Sequence, residues 1–340
     1  MVKNSKFDFS ARLKELELLE AISSQTARQL AQFCESCMEA ISSSGEDPSP
    51  YRRIFATYLD LVLEESKTPY PFEPYHKRVR APFDYYAWGI EFMRPLVDLN
   101  RSHLLGKERL IEIQTHLKNG ANVIFLANHQ IEADPQAISL MLEKDFPKLA
   151  EEMIFVAGER VITDPLAIPF SMGRDLLCIY SKRYIDHPPE EKDRKQLHNK
   201  KTMQRMSALL SEGGRCIYVA PSGGRDRPNK DGLVEVAPFD PKSVEMFYLM
   251  AKRAKSPTFF YPLTLLTYQV LPPPETVQVE LGESRVTKRG PIHMSVGPRI
   301  DMESIPVPEN IKKDAARKAR ADYIWNLVRR DYARLTETDQ

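Results

Sequence analysis

From about residue 120 to residue 266, short apolar runs alternate with longer stretches patterned as helices, the runs falling at 123–127, 153–157, 176–180, 216–220 and 259–266. Runs of this length between polar segments read as strands, and their alternation with helices predicts an α/β domain with a mixed, largely parallel sheet flanked by helices. Pro262 lies inside the last run and cannot donate to a ladder, so that strand is expected at an edge or with a bulge. Two later runs, 277–286 and 292–296, have no long helix between them and are expected to extend the sheet antiparallel. A charged helix over 308–334 is expected to close the chain.

The first 66 residues carry a different period. Leu13, Leu16, Leu19 and Ile22, then Leu30, Cys34, Cys37 and Ile41, then Ile54, Tyr58 and Leu61 mark three amphipathic helices. A proline-rich stretch and the basic run 77–80 end this block before Pro82. The expected organisation is a small N-terminal helical bundle, residues 1–80, followed by a larger α/β domain, residues 81–340. Cys34 and Cys37 form a C-x-x-C pair on a helical stripe with no second pair at zinc spacing, which favours core packing over metal or redox chemistry.

Charge excludes some functions. With 48 basic and 47 acidic side chains the net charge is +1, so there is no global attraction to nucleic acid or to an anionic membrane, and any basic site is local. No apolar run approaches the ~20 residues of a membrane-spanning helix. The start of the chain has neither a secretory signal nor an Arg-rich transit peptide, so the expected location is a bacterial-type cytoplasm, or the plastid stroma for a trimmed mature form.

Two constellations carry chemistry. Asn128-His129-Gln130-Ile131-Glu132-Ala133-Asp134-Pro135 follows directly on the run ending at Ala127, where open α/β sheets place their sites. Asp134 before Pro135 reads as a helix N-cap. If the loop folds back, its carboxylate reaches one imidazole nitrogen of His129 and leaves the other to take a proton. Taken alone, such a pair fits a loop histidine and a cap better. The second constellation, Ser222-Gly223-Gly224-Arg225-Asp226-Arg227-Pro228, follows the run 216–220. Its glycines permit close backbone approach and its arginines offer donor forks for phosphate, although an arginine turn paired with its own Asp226 is the alternative. Lys182-Arg183-Tyr184 emerges at the same sheet edge. Lys192, Arg194, Lys195, Lys200, Lys201 and Arg205 form a basic stretch on a helix, read as a solvated face, with an acidic partner as the alternative.

These blocks, in order, resemble the soluble plastid-type glycerol-3-phosphate 1-O-acyltransferase family. The resemblance runs from about Arg80 to Gly297. It includes Arg80-Ala81-Pro82-Phe83-Asp84-Tyr85-Tyr86, Phe155-Val156-Ala157-Gly158-Glu159-Arg160-Val161 and Ile179-Tyr180-Ser181-Lys182 as well as the two constellations. It implies that residues 81–340 are the catalytic domain, with His129 and Asp134 as the catalytic pair. Lys182, Arg183, Arg225 and Arg227 would then bind the phosphate of glycerol 3-phosphate, with Arg160, Tyr184, Ser222, Gly223 and Gly224 lining the acceptor site. The family has lysine then histidine where this chain has Arg183 and Tyr184; Arg183 keeps the charge, whereas Tyr184 donates a hydrogen bond without one.

The implied reaction moves a fatty acyl group from acyl carrier protein, or from acyl-coenzyme A, to the 1-hydroxyl of glycerol 3-phosphate. The product, 1-acylglycerol 3-phosphate, opens glycerophospholipid synthesis and is released through transient membrane contact. No metal, cofactor or nucleic acid is expected. The alternatives are another phosphorylated acceptor, such as lysophosphatidic acid, and a non-catalytic phosphate- or nucleic-acid-binding protein.

Overall fold

The computed structural model describes residues 9–181, 185–274, 284–307 and 312–339. Helices α2 (Ser24–Ser42) and α3 (Arg52–Lys67) form where the sequence period places them, whereas α1 (Phe9–Leu18) buries Leu13 and Leu16 but ends before Leu19, which is exposed, and Ile22, which is buried outside the helix. In α2 the Ser23 hydroxyl caps the first turn by accepting from the Thr26 N–H at 3.0 Å. The stripe Ala27, Leu30, Cys34, Cys37 and Ile41 is buried, and both cysteines are free thiols packed in the core.

The chain then alternates: β1 (Tyr75–His76), α4 (Tyr85–Met93), β2 (His103–Leu105), α5 (Lys107–Lys118), β3 (Asn122–Ala127), α6 (Asp134–Leu142), α7 (Pro147–Glu152) and β4 (Ile154–Gly158). Next come α8 (Ile168–Met172), β5 (Asp175–Ile179), α9 (Lys192–Glu212), β6 (Cys216–Val219), a small hairpin of β7 (Arg227–Pro228) and β8 (Val234–Glu235), and α10 (Pro241–Arg253). β9 (Thr258–Leu266), β10 (His293–Val296) and α11 (Lys313–Asp339) complete it. The eight-stranded sheet runs β1-β5-β4-β6-β3-β9-β10-β2. Only the β1–β5 and β9–β10 pairings are antiparallel. In β3, Val123, Phe125 and Ala127 pack under α5, α6 and α7, while Ile124 and Leu126 face α9, α10 and α11. A strand buried on both faces has no polar alternation, which is why it reads as a continuous apolar run.

Three expectations change. β9 is not an edge, because β3 and β10 flank it; the irregularity that Pro262 calls for lies on its neighbour. Gly297 N donates to Pro262 O at 3.0 Å, and four steps from Val296 to Ile300 then face three from Leu263 to Phe260. A residue without an N–H tolerates this bulged partner. Of the run 277–286, residues 277–283 lie outside the described residues and 284–286 form no strand; the second run supplies β10, antiparallel to β9. The basic stretch of α9 is not uniformly solvated: Lys195 is buried against His187 O at 2.6 Å, Glu159 and Glu191. In the run 77–80, Arg78 pairs with Asp175 and Glu151, and Arg80 with Glu151 and Asp84.

The helices α1–α3 share one buried cluster with Trp88 and Phe92 of α4 and with Ile131 and Ala133, next to His129. Tyr58 of α3 is fully buried and donates its hydroxyl to Leu166 O at 2.8 Å. Packing of the first helices therefore bears directly on the loop at the end of β3.

Candidate active site

The parallel strands β3, β4, β5, β6 and β9 end at one rim, and the loops leaving them build the site. The loop after β3 folds back as expected: His129 Nδ1 and Asp134 Oδ2 are 2.8 Å apart. Oδ2 also accepts from the N–H groups of Gln130 (2.8 Å) and Ile131 (3.3 Å), and Oδ1 accepts from the Thr267 hydroxyl (2.6 Å). A carboxylate oxygen that accepts from backbone N–H groups accepts from the ring as well, so Nδ1 carries the proton and Nε2 presents a lone pair. Asp134 is 1% exposed while His129 is half-buried, so the acceptor nitrogen can be reached.

Helix α6 starts where Asp134-Pro135 predicts, but Asp134 does not cap it. Ala133 occupies the cap position and no side chain closes the first turn. The physical reason is competition, since the carboxylate is already taken by donors from His129, Gln130, Ile131 and Thr267.

Asn128 and Gln130 hold the loop from either side of His129. The Asn128 amide donates to Leu265 O (2.9 Å) and its oxygen accepts from Leu265 N (2.8 Å), while Gln130 Oε1 accepts from the N–H groups of Thr267 and Tyr268. Both amides also donate to Asp226 Oδ2, at 2.8 and 3.2 Å, and Ala237 N donates to Oδ1 at 2.9 Å. Asp226 N in turn donates to His129 O at 2.6 Å, seating the glycine-rich turn on the histidine loop. The Asp226 carboxylate is thus an anchor between the two constellations. Gly223, at φ +67, needs glycine for its backbone; Gly224 faces open space, and Ser222 Oγ closes the turn on Gly224 O. Arg225 and Arg227 are half-buried, and Arg225 lies near enough to Glu132 to help hold its carboxyl down.

Burial pushes the Asp226 carboxyl up to about 6, against the hydrogen bonds from Ala237, Asn128 and Gln130 that favour its charge. An unfolded aspartate titrates near ~3.9. Between those values the native state keeps a proton that the unfolded state has lost, so this group's contribution to stability falls as pH rises from ~4 to ~6 and is flat above. In urea unfolding, the stability of wild type relative to Asp226→Asn should fall by about 2 kcal/mol from pH 4 to pH 7. A difference independent of pH would remove Asp226 as the titrating group.

Arg160 is half-buried in the single helical turn after β4. Lys182, Arg183 and Tyr184, the third basic element expected at the site, lie outside the described residues. Arg285 carries no local signal of a role at the site. Its guanidinium grips Glu132 with two bonds, at 2.7 and 2.9 Å, and Asp164 at 2.9 Å. Burial opposes ionisation of Glu132, yet Arg285 holds its carboxyl below the usual range. Beside His129 lies a partly enclosed apolar cavity of about 120 Å³, walled by Phe33, Phe92, Phe155, Phe170, Leu176 and Leu271. An apolar cavity of ~150 Å³ takes a benzene, so this one has room for several hydrocarbon carbons. Among the described residues, no cluster of His, Cys, Asp and Glu has metal-binding geometry. No described helix is long and apolar enough to cross a membrane.

Residues 108–265 match the acyltransferase family model. A chloroplastic glycerol-3-phosphate acyltransferase of Cucurbita moschata is 41% identical over 275 residues, covering 81% of this chain and 61% of that protein. The Arabidopsis thaliana chloroplastic protein of the same description is 39% identical over 275 residues, covering 81% and 60%. The chain thus spans about three fifths of the length of these relatives. The Phaseolus vulgaris chloroplastic protein is 36% identical over 333 residues, 96% of this chain and 72% of its own. With this identity along nearly the whole chain, and the acyltransferase match across the strands that carry the His129 and Asp226 loops, the chain belongs to the plastid-type glycerol-3-phosphate acyltransferase family.

Proposed function

We propose that this protein transfers a fatty acyl group from a thioester, carried by acyl carrier protein or coenzyme A, to the 1-hydroxyl of glycerol 3-phosphate. The observation that carries this reading is one imidazole, oriented by a buried carboxylate, between an arginine-bearing turn and an apolar cavity. His129 Nε2 removes the hydroxyl proton as that oxygen attacks the thioester carbonyl. The new C–O bond forms, the C–S bond breaks, and the imidazolium returns the proton to the departing sulfur. Arg225 and Arg227 hold the phosphate, joined by Lys182 and Arg183, and the cavity takes the acyl chain. Holding the phosphate presents the hydroxyl in a productive orientation. The names of the chloroplastic relatives support the plastid stroma as the compartment.

Thioester consumption should require glycerol 3-phosphate, and the arginines provide the sharper test. Charge-assisted hydrogen bonds contribute ~1.5–3 kcal/mol each, and ~1.4 kcal/mol is a factor of ten. Arg225→Ala or Arg227→Ala should therefore raise KM for glycerol 3-phosphate at least ~10-fold and leave KM for the thioester little changed. Glycerol should be a poor acceptor whose use neither variant alters. Equal losses with both acceptors would make the turn structural and remove the phosphate site from the reading.

A further inference from the structure

The cavity beside His129 has a charged residue at its other end. Its wall follows one face of the sheet, where Ala157, Phe155, Tyr218 and Leu176 belong to a single buried cluster. Gly158 lines it at the rim and pairs with Ile179, the last residue of β5. Arg174 also lines it and stands just before Asp175, the first residue of β5. The strand rises ~3.3 Å per residue, so the levels of Arg174 and Gly158 are roughly 16 Å apart.

Arg174 is 3% exposed. Nη1 donates to Ser139 Oγ at 2.5 Å, and Ser139 donates its own proton to Ala150 O at 3.2 Å. The guanidinium carbon lies 4.8 Å from the centre of the Tyr86 ring. That ring is brought in by close backbone packing: a Cβ on Gly173 would come within 2.7 Å of the Tyr85 carbonyl and the Tyr86 N. Among the described residues Nε and Nη2 have no hydrogen-bond partner and no carboxylate acts on the guanidinium; the Tyr86 side chain favours its charge and the Arg78 guanidinium opposes it. Burial pushes Arg174 down to about 10, so it is still a cation at neutral pH. A buried cation whose company is the Ser139 hydroxyl, the Tyr86 side chain and a second cation, Arg78, is costly, and the proposed reaction makes no use of it at the His129 end.

We propose that Arg174 is the floor of the acyl cavity and sets the longest acyl chain the protein accepts. The inference rests on the acyl-transfer reading and adds the specificity of that same site. A chain entering from His129 runs down the sheet face over apolar side chains, and each methylene gains from burial. At Arg174 the gain stops, because a further methylene would press hydrocarbon against a desolvated charge and strip it of its remaining polar contacts. The residue thus discriminates by denying the far end of the ligand a favourable surface. It acts on specificity and has no part in the chemical step.

The test is the profile of kcat/KM for glycerol 3-phosphate acylation across saturated coenzyme A thioesters from octanoyl to eicosanoyl, in wild type, Arg174→Met and Arg174→Lys. Methionine keeps an unbranched side chain and removes the charge. For the first chain beyond the wild-type limit, two methylenes longer, Arg174→Met should raise efficiency relative to a short chain about tenfold. Arg174→Lys should keep the limit. Each ratio is taken within one preparation, so a partly unfolded variant does not distort it. If Arg174→Met cannot be obtained folded, Leu176→Phe fills the cavity just above the floor and should shorten the limit by one such step. A limit that stays in place in whichever of the two variants is measured overturns the proposal. A flat wild-type profile with transfer intact sinks the floor and leaves acyl transfer standing. If no thioester of any length supports transfer, the acyl-transfer reading fails and the floor with it.

Discussion

Replacing His129 by alanine is expected to lower kcat at least ~10²-fold, the lower bound for losing a positioned general base, with little change in the affinity for glycerol 3-phosphate. Both halves of the expectation come from the geometry. The imidazole is fixed through Nδ1 by Asp134, and the lone pair on Nε2 is the group that the alanine removes. The phosphate, by contrast, is assigned to Arg225 and Arg227, whose backbone neighbour Asp226 holds the loop through His129 O, a contact the substitution leaves in place. His129→Gln should be as slow as alanine, since an amide fills the space without accepting a proton at neutral pH. Steady-state kinetics and calorimetric titration of glycerol 3-phosphate separate the two effects. A His129→Ala protein with near-normal kcat would end the general-base mechanism.

Arg285→Met is expected to lower the unfolding free energy by about 3–5 kcal/mol, the usual cost of removing one partner from a buried ionic cluster. The side chain is 7% exposed and is the shared partner of Glu132 and Asp164. Without it, two carboxylates that shared one cation are left without it, and burial already opposes the charge of Glu132. Arg285→Lys should recover only part, because an ammonium cannot reproduce the two-pronged grip on Glu132. Adding Glu132→Gln and Asp164→Asn to Arg285→Met should recover most of the loss, since both orphaned charges are then gone. Urea denaturation of the four proteins checks this, and a loss below ~1 kcal/mol for Arg285→Met would mean that the cluster is hydrated and of little consequence.

The parts of the fold that were legible are those with a local period. The stripe from Leu30 to Ile41 and the run ending at Ala127 announce a helix and a central strand because burial acts at each residue on its own. The two-residue β1 and three-residue β2 carry no such signal; they are strands only because β5 and β10 offer them an edge. Pro262 was read by a rule that holds when the neighbouring strand is regular, and here the neighbour carries the irregularity. The site divides in the same way. His129 and Asp134 declare themselves by a five-residue spacing, and Asn128 and Gln130 could have been suspected as amides at the end of a fully apolar run. Thr267 reaches Asp134 from 133 positions away, and Arg285 reaches Glu132 from 153. No pattern within either segment encodes those meetings.

The paired bonds between the Asn128 amide and the backbone of Leu265 form a false rung, a side chain standing in for the peptide that would have continued the ladder between β3 and β9. The main chain is thereby released from the sheet at the point where it turns into the His129 loop, while its position remains tied to the central strands β3 and β9. Most of the disorder that a catalytic loop would lose on meeting its ligand has already been removed during folding. Such a loop does not need to close over its substrate to find its working shape. The imidazole inherits its aim from the sheet, and whatever motion turnover requires is left to the other walls of the site.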